Sequence, residues 1–161
     1  MTLRSSRGIS RLEWMAVTVI VATLMAFLLP SLIDTQREVR RTKIKQMAAN
    51  MRTAINLTHI RCNIDLATIT SETAATCRNT RFPQVNMDGT LITMFHRYPT
   101  ADMLGIATAA GLANDDGLKF HAEKNTLTVD VIGGTEPDCR LTYRATTTEA
   151  TPEITSMFSG C

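Results

Sequence analysis

The stretch that decides the fold is Trp14–Ile33, WMAVTVIVATLMAFLLPSLI, 20 residues without a charge. Only Thr18, Thr23, Pro30 and Ser31 interrupt its apolar character. As a helix it extends about 30 Å at roughly 1.5 Å per residue, the thickness of a bilayer core. Arg4, Arg7 and Arg11 precede it, and Arg37, Arg40, Arg41, Lys43 and Lys45 follow, so flanking charge gives no clear membrane orientation. A secretory signal peptide requires a small-x-small cleavage site after the apolar stretch. The sequence there runs FLLPSLIDTQ and has none. The segment is expected to stay attached to the rest of the chain as a membrane helix.

The 161-residue whole is 44% apolar and 20% charged, which excludes a disordered, collagen-like or multi-span chain. Its net charge of +2 excludes a general nucleic-acid footprint.

Around the apolar run the sequence reads SSRGISRLEWMAVTVIVATLMAFLLP. A basic leader ends at Arg7-Gly8. Counting Ile9 as first, Glu13 is fifth and Pro30 twenty-second. This combination resembles the class III signal of type IV pilins. The resemblance implies a leader, residues 1–8, removed by prepilin peptidase between Gly8 and Ile9. It also implies N-methylation of Ile9 and polymerisation through the helix. Gly8 has no side chain to keep a protease from the bond that follows it. The sequence departs from the family at Ile9 (usually Phe or Met), Arg11 (usually aliphatic), Trp14 and Ala22 (often Gly).

In that family the glutamate pairs with the N-terminal amine of a neighbouring subunit, which makes Glu13 a register device. A carboxylate carried unpaired into a bilayer segment costs about 2–3 kcal/mol or more. The pairing offsets this only when subunits align. Read alone, Glu13 is equally an interfacial residue paired with Arg11. Pro30 lacks an amide donor and is expected to kink the helix or allow it to unwind locally.

Residues 9–33 are therefore expected as a transmembrane and assembly helix, and 34–60 as its amphipathic continuation. Asp34–Ile60 has no Gly or Pro, and Val39, Ile44, Met47, Met51, Ile55 and Thr58 recur at helical spacing. Arg37, Arg40, Arg41, Lys43, Lys45 and Arg52 oppose Asp34 and Glu38, net +4, whereas residues 61–161 carry 8 basic and 12 acidic side chains, net −4. Two readings stay open: attraction between subunits, or helix charges satisfied by the chain's own head.

Residues 61–161 are expected to form an α+β head, an antiparallel β-sheet packed on the long helix. Asp88-Gly89 is a hairpin signal. LKFHAE, TLTVDVI, CRLTYRATT and PEITSMF read as strands, punctuated at Lys124-Asn125 and Gly133-Gly134. Thr100–Gly111 reads as a short helix.

Four cysteines allow three disulfide connectivities, and no pair has Cys-x-x-Cys zinc spacing. The pilin resemblance implies Cys139–Cys161 around the C-terminal segment, with Cys62–Cys77 clipping the loop that leaves the helix. Each loop contributes about 3 kcal/mol on the chain-entropy estimate. His59, His96 and His121 form no ligand pattern, so no metal or cofactor is expected. His96, Asp102 and the serines show no catalytic order. Asn114-Asp115-Asp116-Gly117 lacks a calcium-binding loop and reads as a solvated turn.

VNMDGTLITMFHRYPTADMLGIATAAGL and DCRLTYRATTTEATPEITSMFSGC loosely resemble the heads of mannose-sensitive haemagglutinin pilins, with Arg97 where that family often has glycine. The resemblance implies adhesion. It further implies a bacterial inner-membrane precursor with a periplasmic head, an extracellular pilus, and as partners prepilin peptidase, an inner-membrane assembly platform and further pilin subunits. The nearest alternative is a type II secretion pseudopilin. Other classes are a monomeric membrane-anchored binding protein, such as a lectin, and a tethered periplasmic enzyme.

Overall fold

The computed structural model describes residues 11–68, 77, 83–112, 117–135, 138–147 and 150–161, with the side chains of 28–34 excepted. The chain is α+β, with one long helix and two antiparallel sheets. Helix α1, Arg11–Ala67, has 57 residues. It runs past Ile60, where the sequence pattern set its end, because no Gly or Pro stops it and Arg61 and Asp65 form an i,i+4 ion pair at 3.4 Å. Thr68 closes it, its N–H donating to the Ile64 carbonyl.

The chain divides into two compact units, 1–38 and 39–161. In the second, α1 buries Ile44, Met47, Ala48, Met51, Ala54, Ile55 and Thr58. The expected stripe is therefore correct from Ile44 onward. Val39 is a correction: it is 61% exposed, because the packed face begins one turn later.

The expected single sheet is also corrected. The first sheet comprises β1 (Gln84–Met87), β2 (Thr90–Phe95) and β3 (Tyr98–Pro99). The second comprises β4 (Leu118–Glu123), β5 (Thr126–Val131), β6 (Arg140–Arg144) and β7 (Glu153–Met157), paired in chain order. The first sheet stops at β3 because that strand has two residues and Pro99 has no N–H to donate. The chain then passes through the expected helix, which is shorter than Thr100–Gly111. Thr100 stays fastened to β2, its N–H donating to the Thr93 carbonyl at 3.0 Å. Asp102 is extended (φ −147) and its Oδ1 accepts from Gly105 N at 2.6 Å. The turn Met103–Ala107 is interrupted by non-helical backbone at Gly105 and gives way near Gly111.

The inner faces follow strand alternation. Leu127, Val129, Val131, Leu141 and Tyr143 join Ile106, Ala107 and the α1 stripe in one core. Cys62, Val85, Ile92 and Met94 form a second. Each large apolar side chain buried this way contributes about 1.5–3 kcal/mol. The buried Tyr143 hydroxyl donates to the Pro99 carbonyl at 2.7 Å, tying β6 of one sheet to β3 of the other. Burial, then Tyr98 and Asp102 nearby, pushes the phenol's pKa well above its ordinary value, so it remains a donor.

Two two-residue turns adopt left-handed backbone at both positions, the geometry that fits hairpin twist. At Asp88-Gly89 (φ 50 and 87) glycine supplies it without strain. At His96-Arg97 (φ 47 and 66) it does not. A non-glycine residue there costs about 1–2 kcal/mol, partly offset by the entropy glycine loses on folding. Arg97→Gly is expected to stabilise the head by about 0.5–1 kcal/mol, read as a higher urea midpoint at constant slope. A lowered midpoint would show that the Arg97 side chain outweighs its backbone strain.

Candidate functional site

The N-terminal part of α1 is the surface most in need of a partner. Leu12, Trp14, Met15, Val17, Val19, Ile20, Val21, Leu24, Met25 and Phe27 are exposed, between 47% and 80%. Its hydroxyls do not break the apolar character. Thr18 donates back to the Met15 carbonyl at 2.9 Å, and Thr23 to those of Val19 and Ile20 at 2.9 and 2.8 Å. A helix apolar around its circumference is stable when an apolar phase or other helices cover it.

Among the described residues, no helix is long and apolar enough to cross a membrane. The uncharged run is described at side-chain level only through Phe27, 14 of its 20 residues. Glu13 lies in the first turn of α1, where a carboxylate favours the helix dipole. Arg11, two positions before it, points to a different helix face, which removes the spacing argument for a local pair. Pro30 lies within α1. The proposed cleavage residues, Gly8 and Ile9, lie outside the described residues, as does Asn114–Asp116 of the acidic turn.

Both disulfides match the pairing implied by the resemblance. Cys62–Cys77 has a Cα–Cα distance of 5.3 Å and Cys139–Cys161 one of 4.8 Å. Cys62 is on α1 itself, so the first bridge pins the segment leaving the helix to the second core. The second bridge belongs to a larger clasp. Arg40 Nε donates to the Cys161 main-chain oxygen at 2.9 Å, Thr135 N to Gly160 O at 3.0 Å, and Gly160 N to Asp138 O at 2.9 Å. A Cβ at position 160 would lie 2.5 Å from Asp138 Cβ, so this approach requires glycine.

Sequence reading missed two polar clusters. Asp130, 2% exposed, lies opposite Arg140 across β5 and β6. Arg140 reaches its carboxylate with two hydrogen bonds, 2.7 and 2.9 Å, and His121 Nε2 stands 3.9 Å away. The only trace of this in the sequence is a lone aspartate in TLTVDVI and an arginine at the start of the next strand, RLTYR. The second cluster is on α1, where His59 Nδ1 donates to the Arg97 carbonyl at 3.1 Å and its ring stacks on Tyr98 with centroids 4.4 Å apart. That bond places the ring proton on Nδ1, since a carbonyl only accepts.

Among the described residues no group of His, Cys, Asp or Glu is arranged to hold a metal ion. A polar groove of about 950 Å³ lies at one end of the second sheet, lined by Lys124, Thr126, Arg144, Thr151 and Glu153 among others. It is open to solvent.

No protein-family model matches this chain, and a search of curated proteins and of solved structures gives no significant match.

Proposed function

We propose that this chain is a structural subunit of a type IV pilin-like filament. It is anchored in a bacterial inner membrane by residues 9–33 until a prepilin peptidase has cut after Gly8 and an assembly platform has packed it into a surface fibre. The observation that carries this reading is the exposed apolar helix Leu12–Phe27 at the start of a 57-residue α1. Such a surface needs two successive apolar environments if the protein is first inserted and then assembled: lipid, then the helices of other copies. The α+β head with its clasped C-terminal segment supports a displayed subunit, its proposed role adhesive, as the pilin resemblance implies, and structural rather than catalytic. The Cys139–Cys161 bridge favours a pilin over the related secretion pseudopilin.

The test is N-terminal sequencing and intact-mass measurement of the chain recovered from sheared surface filaments. The expected product begins at methylated Ile9 with both disulfides closed. Gly8→Val is expected to leave full-length precursor in the inner membrane, because a branched side chain blocks the approach to the bond. A normally trimmed product from that variant, or a chain found only as a membrane-bound monomer, would favour an anchored binding protein.

A further inference from the structure

The turn that joins β1 to β2 carries a chemically reactive pair. Asp88 and Gly89 are both exposed and have φ of 50 and 87. In an aspartyl-glycyl pair the glycine nitrogen can attack the side-chain carbonyl carbon of the aspartate, because glycine has no side chain to obstruct the approach. Nothing stands within 4 Å of where a Gly89 Cβ would lie, so the turn is open to water as well. The Asp88 carboxyl makes no ion pair or side-chain hydrogen bond among the described residues.

The attacking atom, in contrast, is engaged. Gly89 N–H donates to Asn86 Oδ1 at 2.9 Å, a full-strength hydrogen bond. Asn86 lies on the exposed face of β1, between buried Val85 and half-buried Met87, so its amide has no part in the core. Ring closure requires the Gly89 nitrogen to leave that oxygen, turn onto the Asp88 side chain and give up its proton. The bond opposes the first two movements, and a neutral amide oxygen is too weak a base to take the proton.

We infer that Asp88–Gly89 is a latent site of succinimide formation and isoaspartate modification, held closed by Asn86. A bond forms between Gly89 N and Asp88 Cγ, and the amide proton leaves with the carboxyl hydroxyl as one molecule of water. No oxidant or reductant is involved. Water then opens the ring. Addition at Cγ restores aspartate. Addition at the Asp88 main-chain carbonyl carbon leaves the chain running through Cβ and Cγ, longer by one backbone carbon, with a free main-chain carboxylate that a methyltransferase acting on isoaspartate can esterify. The extra carbon falls between Met87 and Thr90, which face each other across the hairpin. It disturbs the register that brings Val85 and Ile92 into the second core. This chemistry stands apart from the filament reading and does not depend on it.

The test incubates the purified full chain, disulfides closed, at neutral pH in a polyoxyethylene detergent. Isoaspartate at position 88 is read by enzymatic methylation and by electron-transfer fragmentation of the peptide that holds it. The free peptide VNMDGTLI is the unprotected reference. Wild type is expected to react more slowly than that peptide. Asn86→Ala should raise the rate about fivefold to tenfold, the factor set by one hydrogen bond. Asn86→Asp keeps an acceptor oxygen and should raise it less, and Asp88→Glu should abolish the product. A wild-type rate equal to that of the free peptide overturns the inference. So does an Asn86→Ala rate no higher than wild type, which would leave protection to the turn backbone alone. Asp130→Ala weakens the other sheet and leaves the Asn86 bond in place, so its rate at position 88 should match wild type. A rise equal to that of Asn86→Ala would assign protection to general stability and remove the role of Asn86.

Discussion

Glu13→Ala is expected to be cleaved, inserted and then largely missing from filaments. On the proposed reading, processing depends on Gly8 and the apolar segment, which the substitution leaves intact. Assembly is different. If Glu13 meets the N-terminal amine of a neighbour, its removal leaves that amine unpaired as the subunit enters an apolar environment. Breaking a buried pair from one side costs roughly 3–5 kcal/mol, and the cost recurs at every addition. Two weaker roles predict something else. A carboxylate in the first turn of α1 contributes only about 0.3–1 kcal/mol through the helix dipole. An exposed pair with Arg11 would contribute little more, and their i,i+2 spacing on α1 sets them on different faces. The measurement is the filament-to-membrane ratio of the variant, expressed alone and with wild type. Partial recovery on co-expression is expected, since each mixed contact keeps one normal partner. An unchanged ratio with normal trimming would leave Glu13 as a helix-terminus residue and point to the anchored monomer.

Asp130→Ala is expected to be the most damaging single change in the head. The carboxylate is 2% exposed and accepts two hydrogen bonds from Arg140 at 2.7 and 2.9 Å. Deleting it leaves the guanidinium beside an apolar hole. Arg140 retains some solvent contact, its side chain being 28% exposed, so the cost falls to about 2–4 kcal/mol rather than the full penalty for a sealed pair. Arg140→Ala leaves the carboxylate, the more deeply buried partner, with only His121 Nε2 nearby at 3.9 Å. The double variant should be less destabilised than the two single losses added together, with a coupling above about 1 kcal/mol. Urea unfolding of the disulfide-intact chain measures all four corners. Additive losses would mean that Asp130 is held by its strand and not by its partner. A second expectation follows from the register, in which Arg140 also faces Met157 of the edge strand β7. Loss of Asp130 removes both of these hydrogen bonds from Arg140 and should raise amide exchange in the edge strand β7 before it affects β5, which has a strand on each side.

How much was legible depended on whether the signal was local. The uncharged run, the position of Glu13, the Asp88-Gly89 hairpin and the places of β4 to β7, though not the ends of the last three, are set by residue type at short spacing. They follow from backbone geometry and side-chain period alone. The sequence also limited the disulfides to three pairings, with a resemblance choosing among them. Tertiary structure decided what depends on residues far apart. It exposed Val39, split the head into two sheets at Pro99, and carried α1 on to Ala67. It placed Asp130 against Arg140 and Tyr143 against Pro99, contacts spanning 10 and 44 residues. It also divided the basic run, sending Arg40 to Cys161 and leaving Arg41, Lys45 and Arg52 exposed. Composition counts charges, but which of them a fold neutralises depends on the direction each side chain takes from its helix. That direction is fixed only once the stripe from Ile44 onward has been packed against the sheets, because burial of the apolar face sets the rotation of the helix and every charge turns with it.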